Sequence, residues 1–369
     1  MLGCGVQHHG PRAHHGWRLD PVLMPASKSK PSRNAKTINL ALQGGGAHGA
    51  YTWGVLDTIL ADDRIAIEGI SGTSAGAMNA VVLADGYQKA GSEGARDALR
   101  NFWTEVSRQA AFSPIQRSPL DIFFGSWNLD TSPSFVAFDM LSRVASPYDL
   151  NPANINPLRD LLRSTVDFDS VRKCNAFNLY ITATNVQTGR AKVFRRQELD
   201  VERVLASTCL PQLFQAVEID GVPYWDGGYM GNPALWPFFS ECQSNDIMIV
   251  QINPIERSDT PKTASEINNR VNEITFNASL QRELRAIDFV ARLIEDGRLE
   301  NSSYERLLLH RIYDEEAFDG LNASSKLNAE FSFLDHLFSI GQRCAQTWLE
   351  AHYDDIGERS TVDIREMFD

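Results

Sequence analysis

The sequence predicts an α/β fold, opened by the strand, loop and helix units of a mainly parallel sheet and closed by a region of long helices. Three observations carry that expectation. Ile38, Leu40 and Leu42 alternate with other residues and run straight into Gly44-Gly45-Gly46, after which Trp53, Leu56 and Leu60 fall at helical spacing. A second apolar run, residues 65–70, leads at once into Gly72-Thr73-Ser74-Ala75-Gly76 and a helix of small residues through Leu83. Beyond Pro254, Leu280, Leu284, Ile287, Val290, Leu293 and Ile294 recur every three or four residues, the period of a helix with one apolar face.

The remaining elements follow in order. Residues 112–157 are rich in Pro, Ser and Asn around Phe123, Phe124, Trp127, Phe135 and Phe138. Short helices that pack these aromatics into the core are the simpler expectation, and a lid or binding loop is the other. Strand patterns return at 177–184 and 192–194, a helix at 201–207, and a strand at 247–252 whose near-continuous apolar character suits burial on both faces. Long amphipathic helices are expected at 264–295 and 329–352. The organisation is therefore a disordered leader over 1–36, a catalytic domain over 37–254, and a helical region over 255–369 packed on it. The leader holds four histidines and the polar run Ser27-Lys28-Ser29-Lys30-Pro31, and Met24 is a candidate for the true start.

Composition narrows the function. A net charge of −12 argues against a dedicated nucleic-acid binder, which needs clustered cations to neutralise phosphate. The five cysteines, at positions 4, 174, 209, 242 and 344, are odd in number and widely spaced, which suits free thiols in the cytoplasm better than a disulfide framework or zinc site. No apolar run reaches the length of about eighteen residues expected of a membrane span.

Gly72 to Gly76 form a GxSxG pentapeptide between an apolar strand and a helix. Its small residues permit a sharp turn that lifts the Ser74 hydroxyl to the top of the sheet, in front of a helix N-terminus. Gly44, Gly45 and Gly46 can aim backbone amides at one point, and such donors stabilise an ester oxyanion by roughly 3 kcal/mol each. Gly45 and Gly46 are the expected donors. The same loop also reads as GxGxxG through Gly44, Gly46 and Gly49, with Asp62, Asp63 and Glu68 downstream, the pattern of a dinucleotide-binding oxidoreductase. A nucleotide site would leave Ser74 without a purpose. The third segment, Tyr224-Trp225-Asp226-Gly227-Gly228, ends a short strand with a carboxylate and two glycines that admit another backbone.

In this order, the three blocks resemble those of the patatin-like phospholipases, serine hydrolases that use a Ser-Asp dyad without histidine. Thr182-Ala183-Thr184-Asn185, and the stretch from Ala206 through Pro211 and Phe214 to Asn232-Pro233, support the likeness, which covers residues 37–254. The resemblance implies a three-layer α/β/α fold, Ser74 as nucleophile, Asp226 as proton acceptor, and Gly44, Gly45 and Gly46 around an oxyanion hole. It further implies hydrolysis of fatty acyl esters of lipids, no metal or organic cofactor, and peripheral contact with membranes. Two positions depart from the family pattern: Gln43 stands where Asp is common, and His48 where Arg or Lys is common. A triad histidine would have to come from His310, His336 or His352, which the sequence places among helices as solvated or packing residues. A catalytically silent regulatory protein on the same fold is the remaining alternative.

Overall fold

The computed structural model describes residues 35–299 and 304–366; the leader reading of 1–36 and the Met24 start lie outside these residues, apart from positions 35 and 36. Eight strands form one sheet: β1 (Lys36–Leu42), β2 (Ile65–Gly72), β3 (Asn178–Asn185), β4 (Ala191–Arg195), β5 (Val217–Ile219), β6 (Val222–Asp226), β7 (Asp246–Val250) and β8 (Leu308–Ile312). Their order is β5-β6-β3-β2-β1-β7-β8, with β4 paired to β3. Pairing is parallel from β3 through β8 and antiparallel where β4, β5 and β6 join.

Alternation along the central strands builds two cores. Ile38, Leu40 and Leu42 of β1, with Met248 and Val250 of β7, face one apolar cluster; Ala41, Ile247 and Ile249 face the other. The helices α1 (Gly49–Ala61), α2 (Ala75–Ala110), α3 (Val201–Ser207) and α5 (Phe331–His352) contribute to the first cluster, and α4 (Ala264–Glu295) covers the second through Leu280, Leu284 and Ile287. Side chains of a strand point alternately to opposite faces, so a sheet covered on both sides gives the three layers expected. Helices α1 and α5 cross closely: a side-chain carbon on Gly54 would lie 2.0 Å from the Phe338 carbonyl oxygen, and one on Gly341 2.1 Å from that of Tyr51.

Two expectations need correction. The region after Pro254 is not wholly helical, because Leu308–Ile312 adds β8 in parallel to β7. This run of five residues is too short for its period to separate strand from helix, and the neighbouring strand decides. Nor does the core take in all the aromatics of 112–157. That segment does form short helices, among them Pro119–Phe123 and Pro133–Ser142, but Phe123 and Phe124 are 81% and 75% exposed. Phe135 and Phe138 are half-buried, and Trp127 stacks on Phe333 at a centroid distance of 5.2 Å. Among the bonds that fasten the segment, Leu129 N–H donates to Ser324 Oγ (2.9 Å), Gln215 Nε2 to the Asn151 carbonyl (2.8 Å), and Arg117 pairs with Glu330 (2.5 Å). No helix among the described residues is long and apolar enough to cross a membrane.

Candidate active site

Ser74 lies between β2 and α2, at the C-terminal edge of the parallel strands, where α/β folds place their ligands. Its backbone has φ 54° and ψ −119°, a left-handed conformation that costs a non-glycine residue of order 1–3 kcal/mol and marks a strained elbow. Helix α2 begins at Ala75, so its positive end stands directly behind the hydroxyl. The Ser74 amide donates to Ser207 Oγ (3.0 Å). Thr73, one residue earlier, donates from its hydroxyl to the Gly231 carbonyl (2.6 Å) and so ties the elbow to the segment that follows Asp226.

Asp226 ends β6 and has no solvent exposure. Its own amide donates to the Cys209 carbonyl (2.7 Å), its carbonyl accepts from Thr184 Oγ1 (2.8 Å), and its Oδ1 accepts from the Gly228 amide (2.7 Å). Oδ2 is buried without a hydrogen-bond partner. Burial pushes this carboxyl up to about 7, against the opposing pull of the Gly228 amide, the Ser74 hydroxyl and the Lys326 charge. The Ser74 side chain is thus near enough to favour the carboxylate, while Oδ2 keeps a lone pair free to take a proton.

The glycine loop closes the third side. A side-chain carbon on Gly44 would fall 2.6 Å from Ser74 Cβ and 2.7 Å from the Thr73 carbonyl oxygen, so only glycine lets the loop approach the elbow. The Gly44 amide donates to Asn232 Oδ1 (2.7 Å) and is taken up by that bond. Gln43, where the family commonly has Asp, is a buried brace. Its Oε1 accepts from the amides of Ile252 and Asn253 (both 3.0 Å), and its Nε2 donates to the Asn232 carbonyl (3.3 Å). His48 is 2% exposed and packs against Phe318 and Phe333. Burial, then the charges of Lys326 and Arg257, hold its imidazole well below the usual range, so the ring is neutral.

None of the later histidines faces Ser74. His310 is in β8, not in a helix; its Nε2 pairs with Asp246 (2.9 Å), its Nδ1 with Thr361 (3.1 Å). Strands lie about 4.8 Å apart, so β8 sits about 14 Å from β2. His336 stacks on Trp127 and His352 pairs with Asp355 (2.9 Å). Alanine at any of the three is expected to leave ester turnover per folded molecule within about threefold, whereas a triad histidine would cost about a thousandfold or more.

The dinucleotide alternative fails on placement. Asp62 and Asp63 follow α1 at the opposite end of β2 from Ser74, and Glu68 is occupied by the amides of Gln243 (2.8 Å) and Ser244 (2.7 Å). A cleft of about 470 Å³ near Asp62 and Asp63 also opens at that far end. Lys326 and Asn253 beside the glycine loop were missed by sequence reasoning. Neither belongs to a recognisable motif, and only the tertiary fold brings them in.

A model of the patatin-like phospholipase family matches residues 40–239. Among solved structures, the chain is similar to VipD from Legionella pneumophila, at 16% sequence identity and a TM-score of 0.40, over 86% of this chain and 67% of that one. No curated protein sequence matches. With more than half of its length under the family model, the chain belongs to the patatin-like phospholipase family.

Proposed function

We propose that the protein hydrolyses fatty acyl esters of lipids through a dyad of Ser74 and Asp226. Asp226 Oδ2 takes the Ser74 proton as Oγ attacks the acyl carbonyl, and the Gly45 and Gly46 amides hold the resulting oxyanion. Collapse breaks the ester bond, the leaving alcohol or lysolipid takes the proton from Asp226, and Ser74 keeps the acyl group. Water then gives a proton to Asp226, attacks the acyl-serine, and releases the fatty acid as the proton returns to Oγ. No step calls for a metal or organic cofactor.

The observation that carries this reading is a buried carboxylate with an unpartnered oxygen beside a serine on a strained elbow. The exposed aromatics Phe123 and Phe124 are assigned to the acyl chain or the lipid surface, with the protein acting from the cytoplasm on membranes it touches peripherally. Residues 37–254 supply the dyad and the oxyanion loop, and the region after 254 braces them.

A fluorophosphonate probe tests the proposal. The wild type is expected to carry one label at Ser74 by peptide mapping, and Ser74→Ala none. An unlabelled wild type would instead identify a silent, regulatory member of the fold.

A further inference from the structure

The family's glycine loop commonly carries a cation, and here the residue in that place is a neutral histidine. A cation reaches the same spot from a distant part of the chain. Lys326 is half-buried and its Nζ donates to Asn253 Oδ1 (2.8 Å). Asn253 Nδ2 in turn donates to the Gly44 carbonyl (2.7 Å). The backbone of Lys326 lies directly on the loop: a side-chain carbon on Gly46, at φ +58°, would fall 2.4 Å from the Lys326 carbonyl oxygen and 3.2 Å from its Cβ.

The segment that delivers Lys326 is clamped. Arg257 donates to the carbonyls of Phe318 (3.2 Å), Asp319 (2.5 Å) and Leu321 (2.8 Å) and pairs with Glu273 of α4 (2.7 Å). Ser325, next to Lys326, is hydrogen-bonded to the Asn322 carbonyl (2.7 Å) and to His48 Nε2 (2.8 Å). His48 thereby fixes the neighbour of the lysine rather than supplying charge itself.

We infer that Lys326 is the positioning cation of the active site: its ammonium, held against the glycine loop by Asn253, keeps the buried Asp226 ionised and ready to accept the Ser74 proton. The inference rests on the dyad reading and names a residue outside the family match. The charged groups that face Lys326 are Glu273, Arg257 and Asp226; burial pulls the ammonium down to about 8, with Glu273 opposing that pull. Those around Asp226 are Lys326, the Cys209 thiol and the Tyr229 phenol, and burial pushes both of the last two up to about 12. Near pH 7 the lysine carries a charge that favours the carboxylate. Geometry joins the two: Lys326 Nζ lies 5.9 Å from the centre of the Phe276 ring, Gly228 packs against that ring, and the Gly228 amide binds Asp226 Oδ1. The shift expected is the low end of the about 1–3 pH units by which a nearby opposite charge lowers a carboxyl.

The test is the pH profile of kcat/KM for p-nitrophenyl butyrate, a small ester that needs no lipid surface. Wild-type activity should rise with a midpoint at about 7, the value to which Asp226 is raised. In Lys326→Met the rising limb should move up by about one pH unit, so that activity at pH 6.5 falls about tenfold while Ser74 still labels with fluorophosphonate at pH 9. Lys326→Arg keeps a permanent charge and should return the limb to within a few tenths of a unit of wild type. Lys326→Gln, which retains an N–H donor for Asn253, repeats the measurement if the Met variant does not fold. Superimposed wild-type and uncharged-variant limbs, with Ser74 labelled in both, would overturn the role of Lys326 and leave the dyad standing. A wild type that does not label at Ser74 would take down the dyad and this inference together.

Discussion

Asp226→Asn is expected to lower ester turnover by about a thousandfold or more, the range in which a positioned general base operates. The amide keeps Oδ1 as an acceptor for the Gly228 N–H and nearly the same volume, so the loss reports proton transfer rather than a rearranged site. The variant should also be more stable than wild type at neutral and alkaline pH. The carboxyl is raised from its ordinary 3.8 to about 7 in the folded state. Between these values the native protein binds more protons than the unfolded chain, so wild-type stability falls as pH rises through about 7. Glu283, half-buried at the amides of Leu235 and Trp236 and also raised to about 7, acts in the same direction but is common to both proteins and cancels. Denaturant melts at pH 5 and pH 8 should show the gap in favour of asparagine widening at the higher pH. A constant gap, or full activity, would remove Asp226 from its role.

Gly227→Ala should cost both stability and catalysis. A side-chain carbon here would lie 2.0 Å from the Thr182 carbonyl oxygen and 2.6 Å from its carbon. Thr182 is paired with Val193 across β3 and β4, so its backbone cannot retreat cheaply. Overpacking of this kind costs about 1–3 kcal/mol. The strain is relieved most directly by moving residue 227 and with it Asp226, and a displacement near 1 Å at a reacting group costs about a hundredfold in rate. The thermal midpoint and turnover on one ester check the two effects separately; a variant unchanged in both would show that the strand tolerates the methyl group.

The blocks that surround Ser74 were legible because each is local. GxSxG needs a sharp turn, the triple glycine needs close approach to it, and Asp226-Gly227-Gly228 needs a strand end that admits another backbone. All three demands fall on residues adjacent in the chain. The periodicity of β1, β2, β7 and α4 was legible for the same reason. What escaped depends on distant partners. The strand Leu308–Ile312 exists because the edge of β7 is there to pair with it. Phe123 and Phe124 look like core residues by type, and only the packed fold leaves them in solvent. Lys326 is one of eight lysines until Asn253 and the glycine loop come to meet it.

That last arrangement has a consequence for the order of synthesis. A nascent chain that has just emerged past residue 240 holds both Ser74 and Asp226, yet it lacks β7, which pairs with β1 immediately before the triple glycine. It also lacks Asn253 and the lysine that Asn253 anchors. The ribosome therefore releases Ser74 early and the parts that seat its surroundings late. A chain ending near residue 240 would hold both side chains without the strand and the lysine that seat their surroundings.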